Sequence, residues 1–377
     1  MRKKIVAGVF LGFIFGGTAF NLLTPDKEVS ESENRPLQQQ PDFSMKDVFS
    51  GEYMSDFETY VTDQFFAKDW WVGLKSDMER LFLKQENNGV YFGKEGYLLE
   101  TLAEKGQYFD RNLTYLNAFQ EKAPHLNSTV LLVPTAVEVY REHLPAFAPV
   151  VNQADLLEEA KQTLALPLVN PLTTLNEHQS EYLYYKTDHH WTTLGAMYAY
   201  QDLMNEWGIE PETNFKTEVV STNFYGTYYS KANNRQLPPD QITLYHPTND
   251  LTFTTEVNGE VIDGLYDFSY LEQKDQYSMF LGGNQPLTIV RSNIQNGKKL
   301  AIFKDSYAHS FAPFLASHFE EIHLIDLRYF NINPYDYLEE AGIEDVLFLY
   351  NLSTFGTEAS LTKLNAFNPT VIDVEKK

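Results

Sequence analysis

The last third of the chain alternates strand-like and helix-like segments, and that rhythm restricts the fold more than any other feature. Lys299–Phe303 (KLAIF), Glu321–Asp326 (EIHLID) and Asp345–Tyr350 (DVLFLY) are short, nearly continuous apolar runs, separated by helical segments at Tyr307–His318 and Pro334–Ala341. Strands joined through helices pair in parallel. Parallel strands are buried on both faces, so their sequences are apolar throughout instead of alternating. The chain is therefore expected to be α/β, with a mostly parallel sheet flanked by helices. Ser128–Val133 and Leu166–Val169 add strands, and residues 106–123, Ala154–Leu164 and Thr193–Trp207 add helices. In the last of these Leu194, Met197, Tyr198, Met204 and Trp207 share a face, and Gly208 supplies the stop.

Residues 215–298 break the rhythm. They are rich in Thr, Tyr, Phe, Val and turn residues, with Asn258-Gly259 as a hairpin signal, and read as an antiparallel β-rich insertion. Upstream, Gly89–Leu99 reads as a short hairpin turning at Lys94-Glu95-Gly96. Residues 46–87 place Phe57, Tyr60, Val61, Phe65, Trp70, Leu74 and Leu81 at helical spacing. One or two amphipathic helices are expected there, with their apolar stripe in the core. Residues 24–45 are polar, carry Pro25, Pro36 and Pro41, and read as a linker. The expected organisation is an N-terminal helix over 1–23, the linker, and one domain over 46–377 that contains the insertion.

The N-terminus carries an address. Arg2, Lys3 and Lys4 precede an apolar run from Ile5 to Leu23. As a helix the run would measure about 28 Å at ~1.5 Å per residue, close to a hydrocarbon core of ~30 Å. Basic residues before the run and none just after it place the N-terminus inside and the body outside the cytoplasm, with Asp26, Glu28, Glu31 and Glu33 as an acidic stretch on the outer side. Two fates are open. Gly17-Thr18-Ala19 resembles a cleavage site that would release a secreted body, whereas the length of the run suits a single-pass anchor. Gly8, Gly12 and Gly16 form a small-residue stripe able to meet another membrane helix, or are simply the glycines of an apolar run.

Lys and Arg total 29 against 52 Asp and Glu, a net charge of −23, so nucleic acid would repel the chain. Absence of cysteine excludes disulfide frameworks, zinc-thiolate sites, Fe–S clusters and Cys nucleophiles.

Ligands of open parallel sheets bind beyond the C-terminal strand ends, and three polar clusters fall there or at a helix start. The first is Lys304-Asp305-Ser306-Tyr307, between a strand and a helix. A Ser at such a turn exposes its hydroxyl beside the N–H groups of the new helix; equally, Asp305 or Ser306 caps that helix. The second is Asp188-His189-His190-Trp191, ahead of the helix at Thr193. A serine nucleophile needs a base, and the base needs a carboxylate on its other nitrogen, which an Asp two residues before a His can supply. Trp191 would wall such a site. Asp188 as a helix cap, structural histidines, and a metal held by Asp-His-His are the competing readings; adjacent histidines do not easily face one ion. The third cluster is Arg328 and Asn351, each just past a strand. Either suits an oxyanion or sugar contact, a salt bridge or a turn. Phe224-Tyr225 and Tyr228-Tyr229 suit a sheet face or a sugar-stacking surface.

Together the clusters resemble the DHHW family of Gram-positive envelope proteins. The resemblance runs through Ser32-Glu33-Asn34-Arg35 before Leu37, Gly93–Leu98, Pro134–Pro145, Asp188–Trp191, Phe280–Asn284 (FLGGN) and Lys304–Ala308 to Arg328. That family is similar to the SGNH-hydrolase-like proteins of alginate and related polysaccharide O-acetylation. In those, an Asp-x-His-Trp motif precedes the nucleophilic Ser, a circularly permuted order relative to ordinary SGNH esterases. The resemblance implies an SGNH-hydrolase-like fold with Ser306 as nucleophile, His190 as base, Asp188 as orienting acid and His189 as the variable position. Asn351 occupies the place of the hole-forming Asn, and Arg328 lies where a loop Gly is usual. With Tyr307 and Trp191 these are the candidate oxyanion and substrate residues. No cofactor and no metal are implied. The implied activity is extracytoplasmic O-acyl (acetyl) transfer or ester hydrolysis on a cell-envelope polysaccharide, through an acyl-serine, beside a multispanning membrane O-acyltransferase. The alternative is a non-catalytic, membrane-anchored envelope scaffold or glycan-binding protein that keeps the fold.

Overall fold

The computed structural model describes residues 2–30 and 35–369. Glu31 to Asn34, and with them most of the Ser32–Arg35 motif, lie outside the described residues. The chain divides into two compact units, Met1–Asn88 with Tyr229–Gln236, and Gly89–Tyr228 with Leu237–Lys377.

The smaller unit is helical. Helix α1 (Arg2–Leu23) contains a stretch, Lys3–Leu23, long and apolar enough to cross a membrane, and none of that stretch is buried. Three helices follow, α2 (Met45–Ser50), α3 (Glu52–Asp63) and α4 (Lys68–Leu81), rather than one or two. Their apolar stripe does not join a core as periodicity suggested: Trp70 is 52% exposed and Leu81 72%. Helical spacing says that one face is apolar; it does not say what covers that face.

The larger unit is built on an eight-stranded sheet. A short hairpin, β1 (Val90–Phe92) and β2 (Leu98–Glu100), precedes it, with the turn at Lys94–Gly96 as expected. The sheet strands are β3 (Asn127–Val133) and β4 (Leu168–Val169), then β7 (Phe253–Val257), β8 (Glu260–Asp263), β9 (Leu287–Ser292), β10 (Lys299–Lys304), β11 (Glu321–Ile325) and β12 (Asp345–Asn351). Strands β5 (Phe215–Phe224) and β6 (Asp240–Pro247) pair separately as an antiparallel ribbon. The sheet order is β8-β7-β9-β11-β10-β12-β3-β4. The five strands from β11 to β4 run parallel to one another, as the alternation required. Strands β7, β8 and β9, from within 215–298, extend the same sheet with antiparallel pairings. The β7–β8 turn is Asn258-Gly259, both at positive φ (52° and 82°), as a two-residue hairpin turn demands.

Helices cover both faces. On one face Leu131, Val133, Leu300, Ile302, Leu347 and Leu349 pack with α7 (Thr193–Glu206) and α8 (Ala308–Leu315). On the other, Val130, Leu132, Ala301, Phe303, Val346 and Phe348 pack with α5 (Phe109–Lys122), α6 (Gln153–Thr163) and α9 (Pro334–Ala341). Consecutive strand residues thus feed opposite cores, which is why the runs are apolar without interruption. Parallel register brings the C-terminal ends of β11, β10 and β12 side by side: Phe303 is opposite Ile325 and Phe348, and Lys304 opposite Leu349. The polar residues after those strands therefore share one edge of the sheet. This architecture is the α/β arrangement that the alternation implied, a mostly parallel sheet flanked by helices.

Candidate active site

Ser306 stands one residue beyond the strand-to-helix transition at Asp305. The turn is held by Asp305, whose Oδ1 accepts from Tyr307 N–H (2.9 Å) and whose Oδ2 accepts from Asn351 N–H (2.8 Å) and Asn351 Nδ2 (2.7 Å). Asp305 therefore braces the turn across to β12. Burial pushes its carboxyl up to about 6, against the opposing effect of those donors. The Ser306 N–H donates to no acceptor among the described residues, and its side chain is half-buried.

The Asp188–Trp191 segment is fixed from several sides. Asp240, at the start of β6, accepts from Lys186 N–H (2.9 Å), Thr187 N–H (2.7 Å) and the Thr187 hydroxyl (2.5 Å), and from the Tyr182 hydroxyl. Tyr185 N–H donates to His190 O (3.2 Å) and Thr192 N–H to Leu183 O (2.8 Å), so the segment doubles back on itself. The cap of α7 is Thr192, whose hydroxyl accepts from Gly195 N–H, and not Asp188. That leaves the Asp188 carboxylate free for the imidazoles. Gly226 closes against it: a Cβ there would lie 2.2 Å from Asp188 Cβ, so only glycine fits.

His190 lies within hydrogen-bond distance of both Asp188 and Ser306, the latter 116 positions away in the chain. His190 Nδ1 is 2.5 Å from Asp188 Oδ1, and His190 Nε2 is 2.7 Å from Ser306 Oγ. Asp188 also accepts from His190 N–H (3.0 Å, Oδ1) and Thr227 N–H (2.7 Å, Oδ2). Burial opposes its charge, but His189 and His190 outweigh burial and hold its carboxyl well below the ordinary range. An ionised Asp188 is acceptor only, so the Nδ1 proton of His190 points at it and Nε2 is left to accept the Ser306 hydroxyl proton. Burial, reinforced by neighbouring His189, lowers the His190 pKa to about 4, so the ring is neutral at physiological pH.

The remaining predicted residues sit around this line. Trp191 has no exposed surface; its indole N–H donates to Tyr307 O (3.0 Å) and its ring stacks on Phe311, so it buttresses the turn from below. Tyr307 is equally buried, with its hydroxyl on His189 O (2.6 Å). Asn351 caps α10 (Leu352–Thr357), and its Nδ2 is taken by Asp305 and by Thr354 Oγ1 (2.9 Å). Arg328 is turned onto Asp326, with Nε on Oδ1 (2.8 Å) and an amino group on Oδ2 (2.6 Å).

One residue at the centre went unnoticed. Tyr277 lies flat on the His190 ring, 3.7 Å between centroids and 10° between planes, and its hydroxyl donates to Ser310 Oγ (2.9 Å). It comes from the β-rich stretch, is one of 24 tyrosines, and carries no local signal. Asp188, His189 and His190 offer one ligand atom each within 4.8 Å, but a metal on His190 Nδ1 would displace its bond to Asp188. The arrangement can accept, hold and return a proton at one serine oxygen.

Residues 169–325 match the family model described as DHHW protein. A crystal structure of a DHHW family protein from Eubacterium siraeum superposes with a TM-score of 0.64 at 28% identity, covering 76% of this chain and 97% of that one. Both findings liken the chain to the DHHW family. PatB1 of Bacillus cereus shares the fold, with a TM-score of 0.59 at 20% identity over 71% of this chain and 97% of that one. Among curated proteins, the probable alginate O-acetylase AlgJ of Pseudomonas syringae pv. tomato is 27% identical over 169 residues, 41% of this chain. The match spans 43% of that relative's length, less than half. Over that stretch the chain is similar to a protein named for alginate O-acetylation.

Proposed function

We propose that this chain is a serine-dependent O-acyl (acetyl) transferase or esterase, acting outside the cytoplasm on a cell-envelope polysaccharide or polymer through an acyl-serine. The observation that carries the reading is the unbroken line Asp188–His190–Ser306, at 2.5 Å and 2.7 Å. The relationship to a probable alginate O-acetylase supports a polysaccharide as the acceptor. The apolar helix at Lys3–Leu23 supports a membrane-held body, and with it an acyl donor delivered by a multispanning membrane O-acyltransferase.

In this mechanism Ser306 Oγ attacks the acyl carbonyl while its proton passes to His190 Nε2. Asp188 holds the ring in the required tautomer and stabilises the imidazolium. The oxyanion takes the unpartnered Ser306 N–H; one such donor is worth about 3 kcal/mol. Collapse expels the donor's oxygen, which leaves with the proton from Nε2, and acyl-Ser306 remains. An acceptor hydroxyl then gives its proton to Nε2 and attacks the ester. Ser306 departs and recovers that proton. A sugar hydroxyl makes the reaction a transfer; water makes it a hydrolysis.

The test is a sulfonyl fluoride, read by intact and peptide mass spectrometry, beside turnover of p-nitrophenyl acetate. The probe is apt because a sulfonyl adduct is described for PatB1. One adduct, located on Ser306, together with turnover that disappears in Ser306→Ala, is expected. No adduct and equal turnover in both proteins would leave the non-catalytic scaffold.

A further inference from the structure

Two imidazoles share the Asp188 carboxylate, one on each oxygen. His190 Nδ1 lies on Oδ1 at 2.5 Å, while His189 Nδ1 lies 3.6 Å from Oδ2. The rings overlap, 3.8 Å between centroids and 37° between planes. Their access to water differs: a third of the His189 side chain is exposed against 7% for His190. His189 is held in place through its main chain, since its carbonyl accepts from the Tyr307 hydroxyl.

The surroundings of the two rings also differ. His189 is faced by Asp188 from its own loop, by Glu100 of β2, and by Asp305 of the nucleophile turn, with the neutral phenols of Tyr228 and Tyr307 beside it. His190 is faced by Asp188 and, farther off, Asp275, by the phenols of Tyr277 and Tyr307, by Ser306, and by His189 itself; His309 lies beyond Tyr277. Two positive rings in overlap on one carboxylate repel strongly, so the first proton taken up excludes the second. The ring nearer water, which is also faced by Glu100 and Asp305, takes it.

We propose that His189 is a positioning residue: as an imidazolium on the second oxygen of Asp188 it fixes that carboxylate and repels a proton from the overlapping His190 ring, so that His190 remains a base in acid. The direction of the two rings' titration agrees. Burial opposes charge on both. On His189 it is outweighed by Asp188, Glu100 and Asp305, and the pKa is raised. On His190 it is reinforced by His189, and the pKa falls to about 4. In catalytic terms the inference rests on the proposed function; its first test does not.

That test is a nitrogen NMR titration of the histidine rings in the full chain, labelled with 15N-histidine and held in detergent micelles. In the unaltered protein His189 should protonate well before His190, with His190 neutral down to about pH 5. His190 protonating first, or both rings together near 6.5, overturns the proposal without any variant. In His189→Gln the His190 midpoint should rise by at least about one pH unit, a tenfold gain in proton affinity, and in His189→Lys it should stay low. An unmoved midpoint in His189→Gln, or a rise in both variants, also overturns it. The Trp191 indole N–H signal reports whether the loop is intact in each variant. The acid limb of ester turnover should follow the His190 midpoint. Absence of all Ser306-dependent turnover, with the order of protonation as expected, would refute the function and leave the positioning role standing.

Discussion

Two buried networks lie at the same edge of the sheet, made from the same kinds of groups, and they are wired for opposite ends. In one, Asp188 holds His190 by Nδ1, and Nε2 is left for a hydroxyl. In the other, two residues before Ser306, the buried Lys304 ammonium donates to His309 Nε2 (2.7 Å) and lies 3.4 Å from Asp326 Oδ2 and from Asn284 Oδ1. Asp326 is gripped twice by Arg328, which also reaches Asn284 Oδ1 (3.3 Å). His309 thus has no lone pair left at Nε2, and burial and Lys304 hold its pKa well below the usual value. Burial likewise draws the Lys304 pKa down to about 8, although Asp326 resists it. An imidazole and a carboxylate close together do not make a base. What makes one is a nitrogen whose lone pair points at a labile proton. The second network instead ties the FLGGN segment, β10 and β11 together through charge, beneath the turn that carries Ser306.

The same substitution in both networks should separate these roles. Asp188→Asn removes the acceptor that fixes the His190 tautomer. Ester turnover should fall by about 10⁴, the loss expected when an orienting carboxylate becomes an amide. Initial rates on p-nitrophenyl acetate measure it; a loss of less than tenfold would dissolve the contrast. Asp326→Asn leaves two cations, Lys304 and the half-buried Arg328, without their anion. Breaking one side of a buried pair costs about 3 kcal/mol, and that loss should appear in the denaturant midpoint. Turnover per folded molecule should change by less than about tenfold, because no group on the proton path is altered. A variant as stable as the parent but catalytically dead would reverse the assignment of the two networks.

The two networks also differ in how readily the sequence revealed them. The strands were legible because burial on both faces leaves uninterrupted runs such as KLAIF and DVLFLY, and their order in the chain dictates parallel pairing. Asp188, His190 and Ser306 were legible as fragments at strand ends and a helix start; joining them across 116 residues needed the family resemblance. Arg328 stands past its strand as read and Asn351 closes its own, yet their side chains answer to the carboxylates of Asp305 and Asp326. Local position fixes where a polar residue stands, while its partner is chosen by strands far away in sequence. Gly226 and Asp240, which clamp the Asp188 loop, are common residue types with no spacing signal. In the smaller unit, periodicity identified helices but not what their apolar face meets.

The finest distinction concerns Tyr277, which touches the relay twice by different means. Its ring lies on the His190 imidazole, while its hydroxyl donates to Ser310 Oγ at 2.9 Å and approaches Ser306 O at 3.3 Å. Stacking limits the tilt of the imidazole; the hydroxyl only tethers the ring to α8. Tyr277→Phe keeps the first and deletes the second. A neutral hydrogen bond is worth about 1 kcal/mol net, so turnover should fall by less than about tenfold. Tyr277→Leu removes the flat surface as well and should cost more, because an imidazole free to tilt spends less time aligned with Ser306 Oγ. Parallel kinetics of the two variants measure the difference. Equal losses would mean that the tether, and not the stacked ring, keeps His190 in line, and the relay would then depend on α8 as much as on the Asp188 loop.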